Sequence, residues 1–263
     1  MTLYFNYDRM CLKYNQQRKQ RFTKVDMKIF RYRLTDSTSE RAREYARSGG
    51  SLPALFIAEG QSAGRGRRGR SFDSKAGAGL YMTLLFAPRG GDPVLITIRA
   101  AVALVRAIKK TAGLDARIKW VNDLTVGGKK LAGILAEGDF SPNGTLSYCA
   151  LGVGVNLLER EFPEEISDVV TTLEGETGQR ISPDVLAEAF VSEFLSDESE
   201  DEVLSAYRRS SSVIGQSVEV RRISGESFFA RVLDVCDSGA LSVIREDGVR
   251  EELISAEVSI RKH

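Results

Sequence analysis

The amino-acid sequence predicts an α+β protein in two parts, a larger domain of strands and helices followed by a small barrel-like β domain. Up to about residue 212, short apolar runs typical of strands are interspersed with segments whose apolar residues recur at helical spacing. From Val213 onward the pattern changes to short alternating strands separated by turns. A chain of 263 residues can bury a sizeable core in such a fold without disulfide bonds.

The helices and strands are indicated in order along the chain. Ser37-Thr38-Ser39-Glu40 matches a capping box and predicts a helix that ends near Gly49. Apolar spacing predicts a second helix over 94–111, and Ser182-Pro183 begins a third that continues to Leu195. A short helix is predicted after the acidic stretch 197–202, and strands at residues 28–34, 52–58, 80–86, 117–121, 131–137, 146–155, 217–223, 227–235, 241–245 and 249–253.

The rarest residues exclude several kinds of chemistry. The single histidine, His263, is the last residue, which argues against a Ser-His-Asp triad, a histidine base or a histidine-ligated zinc site. The cysteines at 11, 149 and 236 have neither disulfide nor metal-ligand spacing and favour a reducing cytoplasm. The formal net charge of +1 argues against a general nucleic-acid binder, and no apolar run is long enough for a membrane helix. Lysine, arginine, aspartate, backbone amides and a bound metal therefore remain as the expected chemical groups.

Residues 1–26 are expected to be a disordered extension. They carry six basic and two acidic side chains, and polar residues interrupt any apolar periodicity. The segment has no apolar core of a secretory signal, and a start at Met27 would suit the pattern that follows. It is also too short to form an appended DNA-binding domain.

Four arginines and three glycines are packed into residues 64–70, within a loop predicted from residue 59 to about residue 78. The letters match a dinucleotide fingerprint, but arginines fill its gaps and position 89, where an acidic residue is expected, is Arg. Glycine lets the backbone approach a ligand, and arginine offers forked donors, so the loop suits a polyanion. Mutual repulsion is expected to keep the loop open until an anion orders it. The alternative is a solvated loop that binds RNA weakly or binds nothing.

A second group of polar residues follows the predicted strand at 117–121. That strand ends in Asn122-Asp123, and after a Gly-Gly turn the chain returns through Lys130, so the three side chains are expected to lie close together. A carboxylate and an amide suit Mg²⁺, and an ammonium suits phosphate or a developing negative charge. The simpler interpretation is an Asn-Asp turn with an exposed lysine. Trp120 is expected in the core rather than beneath an adenine.

Two further segments have both a structural and a functional interpretation. Gly152-Val153-Gly154-Val155-Asn156 ends a strand, and glycine within a strand indicates either close approach of a ligand or a β-bulge. Ser37 and Thr38 are expected first to cap their helix, although hydroxyls and free amides at a helix N-terminus also suit a small polar ligand group.

Taken in this order, the motifs resemble the biotin–[acetyl-CoA-carboxylase] ligase family, the biotin protein ligases. The resemblance extends from about Lys28 to the C-terminus and implies a class II synthetase-like mixed β-sheet with helices on one side over 27–212, then an SH3-like barrel over 213–263. It implies that biotin and ATP, with Mg²⁺, give biotinyl-5′-AMP, and that a lysine of a biotin carboxyl carrier protein then attacks. It rests on Asp36-Ser37-Thr38, Gln61, 64–70, Gly79-Leu80-Tyr81, Lys119-Trp120, Asn122-Asp123, 130–135 and 152–156.

The same resemblance implies a role for each matching residue, no partnership with DNA or membrane, and leaves a homodimer open. Residues expected to contact biotin are Ser37, Thr38, Gln61, Gly64, Arg65, Arg67, Lys130 and Gly133. Residues expected to contact ATP or the adenylate are Arg67, Arg68, Arg70, Phe72, Lys119, Asn122 and Asn156. Residues expected to be catalytic are Lys130, Arg65, Arg67 and Asp123, with Asp123 also the candidate Mg²⁺ ligand.

Three positions depart from the pattern of the family, and two alternatives stay open. Ser39 stands where many members have Asn, Val121 where the common residue is Pro, and Phe72 where some have Trp, although an aromatic face for adenine is retained. The helix-turn-helix domain of repressor members has no counterpart, so a ligase without DNA binding is expected. A lipoate–protein ligase would share the chemistry, but its motif histidine is missing. An RNA-binding module would use the arginine loop and the barrel, against a near-zero net charge.

Overall fold

A computed structural model describes residues 27–88, 92–140 and 146–260. The predicted disordered extension over 1–26 lies outside these residues. Within the described part of the chain, no helix is long and apolar enough to cross a membrane. The elements in chain order are β1 (Lys28–Tyr32), α1 (Thr38–Arg47), β2 (Ala54–Ala58), β3 (Gly79–Phe86), α2 (Pro93–Ala112), β4 (Arg117–Lys119), β5 (Asp123–Val126), β6 (Lys129–Phe140), β7 (Leu146–Asn156), α3 (Glu164–Ser167), α4 (Leu173–Thr177), α5 (Pro183–Phe194), α6 (Glu200–Ser210), β8 (Ser217–Arg221), β9 (Ser227–Val235), β10 (Leu241–Arg245), β11 (Arg250–Leu253) and β12 (Glu257–Ile260).

The larger domain is built on one mixed sheet of seven strands. Their order is β1-β2-β3-β7-β6-β5-β4, in which β1 and β2 run parallel and every other neighbouring pair is antiparallel. β7 and β3 pair without a break from Phe86 and Cys149 to Gly79 and Asn156. The sheet therefore presents β6, β7 and β3 side by side at its centre.

Helices cover both faces of this sheet. On one face, α2, α5 and α6 bury the aliphatic side of the strands, including Leu55 and Ile57 of β2. On the other face, α1 packs on Phe56 of the same strand, where Phe30 and Tyr45 complete a small aromatic cluster next to Ala42. The expectation of helices on one side was therefore wrong for α1. The physical reason is the strict alternation of side chains along β2, whose two faces are both buried.

The C-terminal unit is a five-stranded antiparallel sheet in the order β11-β10-β9-β8-β12. Its buried aliphatic side chains belong to the same apolar core as the helices of the larger domain. Among the contacts that attach it, the buried indole Nε1 of Trp120 donates to the carbonyl of Gly239 at 3.0 Å, and Nε of Arg208 donates to the carbonyl of Val235 at 2.8 Å. The expectation that Trp120 is a core residue is confirmed.

Most predicted elements are present, and the differences have identifiable causes. The run 117–121 divides into β4 and part of a turn before β5, because the chain reverses direction over residues 120–122. The strand β12 was not predicted, since only one of its four residues is buried and its apolar pattern is weak. The short helices α3 and α4 were also missed, because four or five residues carry too little periodicity.

Candidate active site

Three glycines leave the centre of the sheet without side chains on the face that α1 covers. Gly133 of β6 lies opposite Gly154 of β7, and Gly152 is two residues earlier on the same face. A Cβ atom at Gly154 would lie 2.7 Å from the ring of Phe72, and one at Gly152 would lie 3.0 Å from Oγ of Ser39. The strand ladder is regular through this stretch on both sides, so the alternative of a β-bulge was wrong. Close approach of another group is the reason for the glycines.

The three residues Gly133, Gly152 and Gly154 form a glycine patch, and the N-terminus of α1 lies at one end of it. Ser37 is the N-cap residue and is buried, but its side chain makes no capping hydrogen bond, so the expectation of a simple cap was wrong. The amide of Thr38 instead donates to Oε1 of Gln61 at 2.8 Å. A backbone amide of the first turn is thus satisfied by a side chain from the neighbouring loop. This arrangement places Ser37, Thr38 and Gln61 together at the cleft.

The charged end of the site lies at the turn between β4 and β5. Nζ of Lys130 forms an ion pair with Oδ1 of Asp123 at 2.7 Å, and Nδ2 of Asn122 reaches the same oxygen at 3.3 Å. The predicted proximity of these three side chains is confirmed, and the alternative of an exposed lysine was wrong because the Lys130 side chain is only 35% exposed. An ammonium, a carboxylate and an amide therefore border the glycine patch.

Arg67 joins the arginine loop to this charged end. Its Nη1 donates to Oδ1 of Asn122 at 3.0 Å. Burial lowers the pKa of the Arg67 guanidinium and the positive charge of Arg68 lowers it further, whereas Asp123 and Glu257 act in the opposite direction. Because an arginine stays charged in proteins, Arg67 is a half-buried cation whose environment disfavours its charge. An anion bound in the cleft would stabilise the charged form of Arg67.

The other arginines of the loop are paired with carboxylates from distant elements. Arg65 contacts Glu40 of α1 at 3.2 Å and Glu137 of β6 at 3.3 Å. Arg70 contacts Glu257 of β12 at 2.5 Å, and Arg68 contacts the same carboxylate at 3.6 Å. The expectation that repulsion keeps an empty loop open was wrong, because these acidic side chains, far away in sequence, compensate the positive charges.

Gly64 and Phe72 shape the base of the same loop. A side chain at Gly64 would collide with the carbonyl oxygen of Phe72 at 2.4 Å and with Oγ of Ser74 at 2.5 Å, so the backbone can cross here only as glycine. The ring of Phe72 lies over the glycine patch, with Nζ of Lys130 6.0 Å from its centroid. An aromatic face thus lies next to the ammonium in the cleft.

The cleft brings together most of the site residues predicted from the sequence. Its space is about 490 Å³, including the part that opens to solvent, and both polar and apolar groups line it. Six predicted site residues are not among the lining residues: Gly64, Arg68, Arg70, Lys119, Asp123 and Asn156. Asp123 contacts the lining residue Lys130 through their ion pair, and Nδ2 of Asn156 donates to the carbonyl of Thr171 at 3.2 Å. The lining residues predicted from the sequence are Ser37, Thr38, Gln61, Arg65, Arg67, Phe72, Asn122, Lys130 and Gly133.

Some functional neighbours were missed by sequence reasoning. Thr83 and Ser74 are buried polar residues behind the cleft, joined to Thr38 and Gln61 by hydrogen bonds. A threonine inside the apolar run of β3 was an available signal for Thr83, because a buried hydroxyl needs a partner. The carboxylates that pair with the arginine loop had no such signal.

The donor atoms near Lys130 suit a divalent cation only together with oxygen atoms of a substrate. Within residues 27–88, 92–140 and 146–260, no three His, Cys, Asp or Glu side chains are grouped so that they could hold a metal by themselves. Mg²⁺ in nucleotide sites is commonly held by one or two carboxylates together with substrate phosphates. Asp123, with Asn122 beside it, fits that mode of binding.

Comparison with known proteins agrees with this geometry. Residues 32–156 match the Biotin/lipoate A/B protein ligase family, and residues 213–261 match the Biotin protein ligase C terminal domain. The biotin–[acetyl-CoA-carboxylase] ligase of Paracoccus denitrificans is 35% identical over 237 residues, which cover 85% of this chain and 97% of that enzyme. The chain belongs to the biotin protein ligase family. Ligases of this family activate biotin as biotinyl-5′-AMP and transfer it to a carrier protein, and this chain carries that activity.

Other members of the biotin protein ligase family align over most of the chain. The bifunctional ligase/repressor BirA of Bacillus subtilis is 29% identical over 239 residues, covering 86% of this chain and 72% of that protein. The biotin protein ligase of Aquifex aeolicus, solved in complex with biotin and ATP, superposes with a TM-score of 0.75 at 25% identity and covers 90% of this chain and 99% of that one. The match to a ligase C-terminal domain decides against both the lipoate ligase and the RNA-binding alternatives.

Proposed function

We propose that the cleft over Gly133 and Gly154 holds biotin and ATP in line, with the ring system of biotin at the N-terminus of α1 and the reacting groups beside Lys130. The observation that carries this proposal is the position of the Lys130–Asp123 pair at one end of the glycine patch and the Ser37 and Thr38 hydroxyls at the other. A carboxylic acid with a polar head and an apolar chain matches such a cleft.

In the first step a carboxylate oxygen of biotin bonds to the α-phosphorus of ATP, and the bond to pyrophosphate breaks. The negative charge that accumulates around the phosphorus lies next to Nζ of Lys130. A fixed cation in a partly desolvated site stabilises such charge more than water does. Arg65 and Arg67 add positive charge from the loop side.

The arginine loop is proposed to cover the adenylate and keep it from water. Arg67 is already half-buried and bonded to Asn122, and an incoming phosphate would offset the burial that disfavours its charge. A mixed anhydride is hydrolysable, so exclusion of water preserves it until the acceptor arrives. Arg68 and Arg70, together with Phe72, Lys119 and Asn156, are proposed to complete the nucleotide side.

Mg²⁺ is proposed to bind through Asp123 together with ATP phosphates, and it would supply neutralisation of phosphate charge. Asn122 would orient the Asp123 carboxylate. In the second step the ε-amine of a carrier-protein lysine attacks the acyl carbon, AMP leaves with the electrons of the broken acyl–oxygen bond, and Asp123 is proposed to take up the proton that the amine loses.

The acceptor is proposed to be the biotin carboxyl carrier protein of a carboxylase such as acetyl-CoA carboxylase. The name of the Paracoccus denitrificans relative supports that choice. A cytoplasmic location is inferred because Cys149 and Cys236 are both free thiols. We further propose a domain boundary near residue 213 and assembly of the chain as a homodimer.

Incubation of the purified chain with biotin, ATP and Mg²⁺, without an acceptor, tests the proposal. Pyrophosphate release and biotinyl-5′-AMP, measured by mass spectrometry, should reach about one equivalent per chain, because the closed loop retains the adenylate. Parallel incubation with lipoate should release no pyrophosphate above background. Release with lipoate instead of biotin, or no release with either acid, would contradict the proposal.

A further inference from the structure

A continuous chain of side-chain hydrogen bonds runs behind the cleft from Ser39 to the carbonyl of Phe72. Oγ of Ser39 is 3.1 Å from Oγ1 of Thr83, which is 2.9 Å from Oγ1 of Thr38. Oγ1 of Thr38 is 3.1 Å from Oε1 of Gln61. The members are buried or half-buried, so water does not compete freely for these groups.

The orientation of Gln61 determines the direction of the first proton. Its Oε1 accepts the backbone amide of Thr38 at 2.8 Å, which identifies that atom as the oxygen, because an NH₂ group would face another N–H there. A carbonyl oxygen has no proton, so the hydroxyl of Thr38 must donate to it. The single proton of Thr38 is therefore used within the chain.

The remaining directions follow one by one. Since the Thr38 proton points to Gln61, the Thr83 hydroxyl donates to Thr38, and the Ser39 hydroxyl must then donate to Thr83. At the other end, Nε2 of Gln61 donates to Oγ of Ser74 at 2.9 Å, and Ser74 donates to the carbonyl of Phe72 at 2.9 Å. Every proton in the chain thus points away from Ser39 and toward Phe72.

We propose that Thr83 is a positioning residue that contributes to head-group specificity by extending this direction to the Ser39 hydroxyl, whose proton it accepts. Thr83 is fully buried on β3 and is not a lining residue, whereas Thr38 and Ser39 line the cleft. Because their protons are committed to the chain, these two hydroxyls can offer only lone pairs to a ligand. The cleft therefore selects a head group that brings N–H donors, as the urea ring of biotin does. This inference rests on the proposed binding of biotin at the N-terminus of α1.

Calorimetry with biotin tests the inference on the full chain and on Thr83→Val, which keeps the shape but removes the hydroxyl. Loss of one directing hydrogen bond should weaken biotin binding about tenfold. The KM for biotin should rise in parallel while kcat of adenylation stays within about threefold, since the reacting groups are untouched. Thr83→Ser should restore both. Thr97→Val is the matched control, because its hydroxyl donates to the helix carbonyl of Pro93 at 2.9 Å on α2.

A biotin analogue tests the direction of the hydrogen bonds in this chain. In the analogue, an oxygen atom replaces one urea N–H of biotin, so that an acceptor faces the cleft. The full chain should bind it at least about tenfold more weakly than biotin, since two acceptors then oppose each other. Thr83→Val should discriminate by less than about threefold, because the freed Ser39 hydroxyl can turn and donate.

The outcomes distinguish a failure of the proposed function from a failure of the role proposed for Thr83. No binding of biotin by the full chain would overturn the proposed function itself. Biotin binding by the full chain with unchanged affinity in Thr83→Val, or a loss that Thr83→Ser does not restore, would overturn the role of Thr83 alone. If Thr83→Val does not fold, the analogue still decides, because equal binding of both ligands by the full chain contradicts the fixed direction.

Discussion

The two faces of β7 differ as sharply as any two regions of this molecule. Leu151 and Val155 point to the helix face and are fully buried in the main apolar core. Gly152 and Gly154 alternate with them on the opposite face, where the sheet borders the cleft. One face of this eleven-residue strand therefore stabilises the fold by packing in the core, and the other face forms part of the ligand surface. The cleft face gives up the burial that side chains would contribute, and it gains room for another molecule.

Substitution of Lys130 by Ala should have the largest effect on the cleft face. If the ammonium stabilises charge in the first step, its loss should cost on the order of 3 kcal/mol, about a hundredfold or more in adenylation rate. Biotin affinity should fall much less. Lys129→Ala is the matched control, because Lys129 is exposed on the neighbouring position and should stay within about twofold. Pyrophosphate release measures the rate. A Lys130→Ala rate close to that of the control would mean that Lys130 does not stabilise charge in the first step.

Arg67→Gly should mainly accelerate release of the adenylate. Removing a paired, half-buried charge costs on the order of 2–5 kcal/mol, so the off-rate of biotinyl-5′-AMP should rise about thirtyfold or more. Stopped-flow displacement measures this rate, and labelling of unrelated lysines by free adenylate should increase in step. Arg180→Gly, an exposed arginine paired with Glu174 outside the cleft, should leave release unchanged. Equal off-rates in the two variants would mean that the loop does not act as a lid.

Substitutions at two neighbouring residues of β7, one on each face, test whether one face binds the ligand and the other stabilises the fold. Gly154→Ala places a methyl group 2.7 Å from the Phe72 ring, which can move aside, so the fold should persist while biotin binds about tenfold more weakly. Val155→Ala should instead leave binding unchanged and lower the free energy of unfolding by about 2 kcal/mol, roughly 4–8 °C in Tm. Calorimetry and thermal melts record both, and a reversal of the two patterns would contradict the assignment of the faces.

The smallest expected effect is the slow alkylation of Cys149, which lies on the helix face of β7. Burial raises the pKa of its thiol to about 12. Because the thiolate is the reactive form, very little of this residue can be alkylated at pH 8, about four units lower. Native labelling with iodoacetamide, followed by peptide mass mapping, should modify the half-buried Cys236 well before Cys149. Rapid labelling of Cys149 would show that the helix face of β7 opens.

Local chemistry made much of this architecture predictable. The alternating pattern of β9 and the helical spacing of α2 gave boundaries within a residue of those observed. The Asn122, Asp123 and Lys130 group was predictable because a hairpin brings them together over few residues. The glycines of β7 were ambiguous, since a bulge and a ligand surface leave the same letters, and only the continuous register distinguishes them.

Interactions between distant segments were the part that could not be predicted. Glu257 of the C-terminal sheet compensates Arg68 and Arg70, which are far away in sequence, and no local pattern reveals which carboxylate a loop will meet. Phe72 was expected as an adenine platform, but its position over Gly154 depends on how the arginine loop folds back on the sheet. Tertiary contacts of this kind are determined by topology rather than by sequence spacing.

A crystal structure of the chain grown with biotin and ATP would show whether the glycine face of the sheet is the ligand surface. Biotinyl-5′-AMP should lie across Gly133 and Gly154, with its head group at Thr38 and its phosphate within hydrogen-bond distance of Lys130 and Arg67. Adenylate bound away from these glycines, or bound there with both cations directed to solvent, would contradict the proposed site.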